Sequence, residues 1–567
     1  MSVSFDQALS LLTGPGQPFE TVDADVLGTT QPVFKNAPAN LRDVFVVTRS
    51  HGDKTSVVYE DERCSFADVM GEADALGAAL VERYGVKKGD RVAIAMRNYP
   101  EWVMSFIAIT SIGAISVSLN SWWTADELAF ALEDSAPTVL IADDQRIALA
   151  SATCHRLGAR IIGVRMTGAA APGVDRWEDV VVAGTPLPEV EIGPDDDATI
   201  LYTSGTTGKP KGAVSTHRAV ISAVMAFATR QAIETARTAP ADGAPVAAEE
   251  SAPADELQPA FILIVPLFHV TGCVAVMLSC LVGGAKLVIM YKWDVDKALE
   301  LIQREQVTNF VGVPTQSWDL VHSPRFAEFD TSTLKTIGGG GAPAPPAQVE
   351  LVAAKFPKGG PNIGYGMTET NAYGPQNLGA DYIAHPSSTG RIVPPMRIEA
   401  RDSQGDAVPR GERGELWFSG PNLIRGFWNR PDATAETIVD GWLRSGDLGY
   451  IDAEGFVFIV DRVKDMILRG GENVYCAEVE AAIYEHPDIH EAAVYGIPHE
   501  RLGEEVAATV LLQPGSTLTE DDLRTYLSSK LASYKIPTHI VITQEPLPRN
   551  AAGKFLKREL RDRSSNV

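Results

Sequence analysis

Positive charge is in short supply in this chain. Forty-nine Lys and Arg stand against 73 Asp and Glu, a formal net charge of −24. So acidic a surface repels nucleic acid and anionic membrane alike, and neither is expected as a bulk partner. Cysteine is scarce as well. The five present (Cys64, Cys154, Cys273, Cys280, Cys476) are odd in number and scattered, with no C-x-x-C. That excludes a disulfide framework and a cysteine zinc site, and it fits a reducing cytoplasm. The first residues, MSVSFDQALSLLTGPGQPFE, carry no Lys or Arg and no sustained apolar core, so no secretory signal is expected. Long apolar runs are also missing. The most membrane-like stretch, PAFILIVPLFHVTGCVAVMLSCLVGGAKLVIM (259–290), is interrupted by Pro266, His269, Gly272 and the Gly283–Gly284 pair. A spanning helix needs about 20 unbroken apolar residues. Strand, loop, buried helix and strand are expected there, and no integral membrane segment.

What is present is material for several cores. A chain of 567 residues with 45% hydrophobic and 22% charged content reads as globular and multidomain. Up to about residue 460, strand-like runs alternate with helical patterns. RVAIAMRN precedes PEWVMSFIAITSIG, AISVSLN precedes TADELAFALEDS, and PTVLIADD and AKLVIM follow. The alternation predicts an α/β fold of mostly parallel, helix-covered sheets. The last hundred or so residues mix strands such as FVFIV and EAAVYGI with amphipathic helices such as TEDDLRTYLSSKL, which reads as a small α+β domain. Thr238–Pro259, rich in Ala, Pro and acid, reads as an exposed mobile insertion.

The run LYTSGTTGKPKGAVSTHRAV, from Leu201, concentrates groups that suit a phosphate. Glycines 205, 208 and 212 let a backbone curl and aim N–H groups at an anion. Thr203, Ser204, Thr206 and Thr207 add hydroxyls, and Lys209 and Lys211 add charge. The stretch reads as strand, loop and helix, with the anion at the helix N-terminus. It is no Walker A loop: two residues separate Gly205 from Gly208, and Pro210 follows Lys209 where Ser or Thr belongs.

Four further stretches carry candidate chemistry. NIGYGMTETNAYG (362–374) combines an aromatic face (Tyr365), a hydroxyl (Thr368) and a carboxylate (Glu369) on a tight backbone at Gly364 and Gly366. TIGGGGAPAPP (336–346) is a backbone-exposing turn. GWLRSGDLGYIDAEGFVFIVDRVKDMILRGGENVYCAEVE (441–480) sets Asp447 in an S-G-D turn ahead of Arg462, and LPRNAAGKFLKREL (547–560) sets Lys554 in a Gly-bearing loop. His269 ends the buried PLFHVTG run; alone it reads as a core histidine, and Trp122 and Trp123 read as packing residues.

Together these runs resemble the signature motifs of the adenylate-forming superfamily: acyl-CoA and aryl-CoA ligases, luciferases and peptide-synthetase adenylation domains. The motifs stand in the family order from about residue 200 to Lys554, and the first 190 residues fit its N-terminal part. The resemblance implies an AMP-binding domain over 1–463 and a C-terminal domain over 464–567, with Lys464 as the pivot between them. It assigns ATP to Thr203, Ser204, Gly205, Thr206, Thr207, Gly208 and Lys209, to an adenine slot of Gly341, Ala342 and Pro343 on one side and Tyr365 on the other, and to Gly366 and Thr368. Asp447 and Arg462 would hold the ribose, and Glu369 would hold Mg²⁺. Lys554 would be the catalytic lysine and His269 a neighbour of the reacting carboxylate. Gly470 and Gly471 would admit the arm of CoA. The implied enzyme activates a carboxylic acid as its adenylate, releasing pyrophosphate, and passes the acyl group to CoA. HVTGCVAVML favours a fatty or other hydrophobic acid; aryl and sterol-derived acids, a separate carrier protein as acceptor, and a nucleotide-binding pseudoenzyme stay open. The expected partners are the acid, ATP and CoA, with a homodimer permitted. A long-chain acid would add transient membrane association to the cytoplasmic setting.

Overall fold

The computed structural model describes residues 3–203, 210–238, 257–341, 344, 346–356, 359–462, 465–469, 472–499, 501–550 and 553–564. Two eight-stranded sheets dominate. In the first, Asp197–Thr203, Ile115–Ser118, Arg91–Ala95, Val139–Asp143, Arg160–Val164 and Val174–Arg176 run parallel, and Lys211–Thr216 and Gly426–Phe427 extend one edge antiparallel. In the second, Gly360–Gly364, Thr336–Gly340, Asn309–Gly312, Ala260–Leu263, Lys286–Ile289 and Thr55–Tyr59 run parallel between antiparallel edge strands.

Strand alternation explains why both faces of each sheet are covered. Val92 and Ile94 enter a core shared with Val57, Tyr59 and Leu263 of the other sheet, while Ala93 and Ala95 enter a separate core behind. Val58, Ile262 and Val288 do the same behind the second sheet. Helix Pro100–Ser111 lies within the shared core, and every residue of it but Glu101 is buried. Pro100 starts it at the position where a missing N–H costs nothing. Capping boxes start helix Phe66–Glu82, packed against it, at Ser65–Asp68, and helix Ala125–Ser135, in the core behind the sheet, at Thr124–Glu127.

A third sheet, of Arg397–Arg401, Gly414–Ser419, Trp442–Ile451, Ile438–Val439 and Val457–Arg462, is antiparallel throughout. A fourth pairs Ile489–His499 with Gly503–Leu512 and adds Ile467–Arg469, Glu472–Val474 and His539–Thr543. Helices Cys476–Tyr484 and Glu520–Ser528 cover one of its faces. Leu547, Phe555 and Leu560 of the closing segment cover the other, against Tyr495 and Ile497. Among the described residues no helix is long and apolar enough to cross a membrane.

Four local expectations change. The helix begins at His217 as expected, but the part of the loop before it is a strand: Lys211–Thr216 pairs antiparallel with Asp197–Thr203. Ala213 and Val214 are buried, and the strand is held between two neighbours, so pairing outweighs the loop character of Lys, Gly and Ser. Gly212 accordingly serves packing, since a Cβ there would lie 2.7 Å from the Ile200 side chain. FVFIV belongs to the third sheet, not the fourth. Thr238 ends a helix, and the Gln258 amide is held by the Thr55 and Gly284 carbonyls at 2.8 and 3.0 Å, so both ends of the proposed insertion are built in; 239–256 lie outside the described residues. Trp123 packs on Tyr202, but Trp122 is 49% exposed, with the Arg97 guanidinium over its ring.

Candidate active site

The third sheet sets Asp447 and Arg462 directly opposite each other on adjacent strands. Arg462 Nε meets Asp447 Oδ1 at 3.1 Å, and the Tyr365 hydroxyl donates to Asp447 Oδ2. Asp447 is buried, and its own N–H donates to Ser445 Oγ at 3.0 Å across a turn that Gly446 makes at φ 72°. Tyr365 comes from the end of the second sheet, with its ring 5.9 Å from Phe418. Burial first, and the neighbouring Asp447 carboxylate second, push its phenol far up, so it stays a donor. Asp447 thus holds Tyr365 through one carboxylate oxygen and Arg462 through the other.

Glu369 and Thr368 sit in the single 3-10 turn Thr368–Thr370. That turn is braced by two asparagines: Asn371 Nδ2 donates to the Asn422 carbonyl and Asn422 Nδ2 to the Thr370 carbonyl, both at 2.9 Å. Asn371 and Asn422 are buried, and Asn371 takes the left-handed conformation (φ 53°) that asparagine tolerates. Separated by fifty residues, this brace is invisible to motif reading. Gly366 belongs to the same knot, since a Cβ there would lie 2.1 Å from the Ala372 carbonyl oxygen. Burial raises the Glu369 carboxyl above its ordinary range, with Lys554, Arg462 and Lys211 pulling the other way.

Lys554 arrives from the C-terminal segment. Its N–H donates to Asn550 Oδ1 at 3.0 Å, and the Gly553 turn before it comes against Val313, whose Cγ2 would be 3.2 Å from a Cβ at 553. Burial and the Arg462 charge lower the Lys554 pKa, and Asp447 and Glu369 oppose that. His269 lies just before helix Thr271–Leu278 and accepts from the Thr271 N–H at 3.3 Å through Nδ1, which leaves its ring proton on Nε2. Burial, with Lys554 adding to it, pushes its pKa down to about 4, so the ring is neutral near pH 7.

Beside the strand that leads to Tyr365 stands a wall of bare backbone. In Thr336–Gly340, a Cβ would lie 1.9 Å from the Asn362 oxygen at Gly338, 1.7 Å from the Gly312 oxygen at Gly339 and 2.4 Å from the Gly364 oxygen at Gly340. Gly341 follows at φ 85°.

Of the residues expected at a nucleotide site, Tyr365, Gly366, Thr368, Glu369, Asp447, Arg462, Lys554, His269, Gly341 and Thr203 are described. Tyr365, Glu369, Asp447, Arg462 and Lys554 form one electrostatic cluster, with His269 beside Lys554. Thr203 ends its strand opposite Lys211, at the base of the loop. Ser204, Gly205, Thr206, Thr207, Gly208, Lys209, Ala342, Pro343, Lys464, Gly470 and Gly471 lie outside the described residues. No group of three or more potential metal-ligating side chains occurs among the described residues. A single desolvated carboxylate beside a polyphosphate suits Mg²⁺, which takes one or two carboxylates together with phosphate oxygens.

Known proteins match this chain over most of its length. A model of the AMP-binding enzyme family matches residues 45–428, and one of the AMP-binding enzyme C-terminal domain matches 478–554. A feruloyl-CoA synthase of an Amycolatopsis species is 35% identical over 512 residues, covering 90% of this chain and 96% of that one. The long-chain-fatty-acid–CoA ligase FadD13 of Mycobacterium tuberculosis is 34% identical over 517 residues, covering 89% and 94%. The ATP-bound structure of MatB from Rhodopseudomonas palustris superposes with a TM-score of 0.80 at 28% identity, covering 92% of this chain and 99% of that one.

Proposed function

The chain belongs to the AMP-binding enzyme family and is an AMP-forming acid–thiol ligase, an acyl-CoA synthetase, and from that premise we propose that it activates a hydrophobic, fatty carboxylic acid. The observation that carries the assignment of roles is the convergence of Lys554 from the C-terminal segment with Glu369 of a 3-10 turn and with Asp447 and Arg462 of the third sheet.

Asp447 and Arg462 hold the ribose, Tyr365 flanks the base, and the hydroxyls and lysine of 203–209 take the phosphates. Mg²⁺ bound by Glu369 would neutralise charge on the leaving pyrophosphate. The substrate carboxylate attacks the α-phosphorus, the bond to pyrophosphate breaks, and Lys554 offsets the negative charge that gathers between the two reactants. His269, neutral, lies where the carboxylate enters and adds no charge. The CoA thiol then attacks the acyl carbonyl, the bond to AMP breaks, and AMP leaves. Gly470 and Gly471 are the proposed passage for the pantetheine arm.

Two half-reactions with different needs support a division at 463/464 and rotation about Lys464. Arg462 pairs within the third sheet and Ile467 within the fourth, so the chain changes sheets across this segment. The setting is proposed as cytoplasmic.

Helix Thr271–Leu278 supports a hydrophobic acid. Its buried residues are apolar, and the less buried Thr271, Ala275 and following Ser279 are small, one helical turn apart on one face. A compact aryl acid is the second reading, supported by the name of one relative, feruloyl-CoA synthase. AMP release dependent on CoA, measured across straight-chain acids of graded length and across cinnamic-type acids, tests both. A kcat/KM that rises with chain length supports the fatty reading. A maximum at the aryl acids, with long chains inert, replaces it.

A further inference from the structure

The turn that carries Lys554 is closed by three short bonds of its own: Asn550 N–H to the Lys554 carbonyl and Gly553 N–H to the Asn550 carbonyl, each 2.9 Å, and Lys554 N–H to Asn550 Oδ1 at 3.0 Å. These bonds shape the turn but do not fix its place on the sheet. That is done by the packing of Leu547, Phe555 and Leu560 and by an ion pair of Arg549 with Glu491. Glu491, buried on strand Ile489–His499, accepts from the Leu547 N–H at 2.7 Å through Oε2 and from Arg549 Nη2 at 2.9 Å through Oε1. Arg549 Nη1 donates to the Gly553 carbonyl at 2.7 Å, and its guanidinium lies over the Phe555 ring, 4.0 Å from the centroid. One planar group therefore grips the residue before Lys554 and the residue after it. Glu491 ties that group to the sheet.

The surroundings bear on the large-sheet side as well. The Asp319 carboxylate, on helix Pro314–His322, lies within electrostatic reach of Arg549, Glu491 and His490, and Trp293 Nε1 donates to it at 2.9 Å. The same helix begins next to Val313, against which Gly553 packs. The ion pair thus stands where the C-terminal segment meets the body that holds Glu369.

We propose that Arg549, fixed by Glu491, is a positioning residue for adenylate formation: it sets the Lys554 turn so that the ammonium reaches the reacting phosphate. A guanidinium is required because only its fork can donate to Glu491 and Gly553 while its face covers Phe555. The proposal rests on the reading that Lys554 acts in the first half-reaction, and the test separates the two.

Full-length Arg549→Ala, Arg549→Lys and Glu491→Gln are compared with Lys554→Ala. The measurements are ATP–pyrophosphate exchange and thioester formation from supplied acyl-adenylate. Arg549→Ala is expected to lower the exchange kcat on the order of 10- to 100-fold, the scale of a misplaced catalytic group. KM for ATP and acid should stay within about twofold and the thioester step unchanged, which also reports a folded enzyme. Arg549→Lys and Glu491→Gln should fall between. In the Lys554→Ala background, adding Arg549→Ala should cost nothing further in residual exchange, because the two act as one unit. Equal loss in both half-reactions, or additive loss in that background, would mean a general structural role and overturn the proposal. If Lys554→Ala stops exchange while Arg549→Ala leaves it intact, the positioning role alone falls. If Lys554→Ala itself leaves exchange intact, both readings fall.

Discussion

Asp447 and Lys554 bring opposite charges to one site, and they are held in different ways. Asp447 is locked by strand register: Arg462 stands across from it in the same sheet, Tyr365 closes its other oxygen, and the carboxylate is buried. Lys554 sits on a turn packed beside a separate sheet, gripped by the Arg549 guanidinium, and the Gly553 before it comes against Val313. A group used throughout the cycle can be built into a sheet. Under the proposed roles, a group wanted for one half-reaction is better carried on a part that can leave.

The sharpest way to break this contrast is Lys554→Ala. It should lower ATP–pyrophosphate exchange by 10²–10³-fold, about 2.7–4 kcal/mol of transition-state stabilisation. Thioester formation from supplied acyl-adenylate should survive. Loss of both would place Lys554 with the fixed groups. Glu369→Gln should come next, with exchange reduced on the order of a hundredfold. Part should be recovered by excess Mg²⁺, and acid binding should be unchanged. Because burial raises the Glu369 carboxyl, the wild-type rate should fall on the acid side at a higher pH than for an ordinary glutamate. The substitution should remove that limb, and a pH–rate profile at fixed, subsaturating Mg²⁺, where the metal does not displace the proton, reads it. Lys464→Pro tests the movable half directly. Proline fixes φ near −65°, so exchange should hold within a few-fold while CoA-thioester output drops roughly tenfold or more. Equal loss would indicate local distortion. The smallest effect is expected from replacing 239–256 with a short Gly/Ser link, keeping Thr238 and Gln258. Closing such a loop costs little, so activity should stay within about twofold and the melting temperature within a few degrees; a collapse of either would show that this segment packs.

The fixed half was largely legible in the sequence and its supports were not. Alternating runs such as RVAIA and VLIAD are strands because both faces of a parallel sheet are apolar, and the pattern shows it directly. Asp447 and Arg462 were legible as a pair, although their opposition across two strands was not. Lys211–Thr216 was misread because Lys, Gly and Ser dilute its apolar alternation; only the strands on either side make it a strand. Arg549, Glu491, Asn371 and Asn422 gave no local signal. Each acts on a partner fifty or more residues away, and such contacts are set by tertiary packing rather than by spacing.

The glycine run at 338–340 constrains how this enzyme can change. Any side chain there would enter a neighbouring backbone, so mutation has no working variants to offer selection at that wall. Descent with altered substrate must write its changes elsewhere, at positions such as Thr271 and Ala275, which are small and only half-buried. A randomised library over these positions would sort itself accordingly: monotonous at the strand, diverse at the helix.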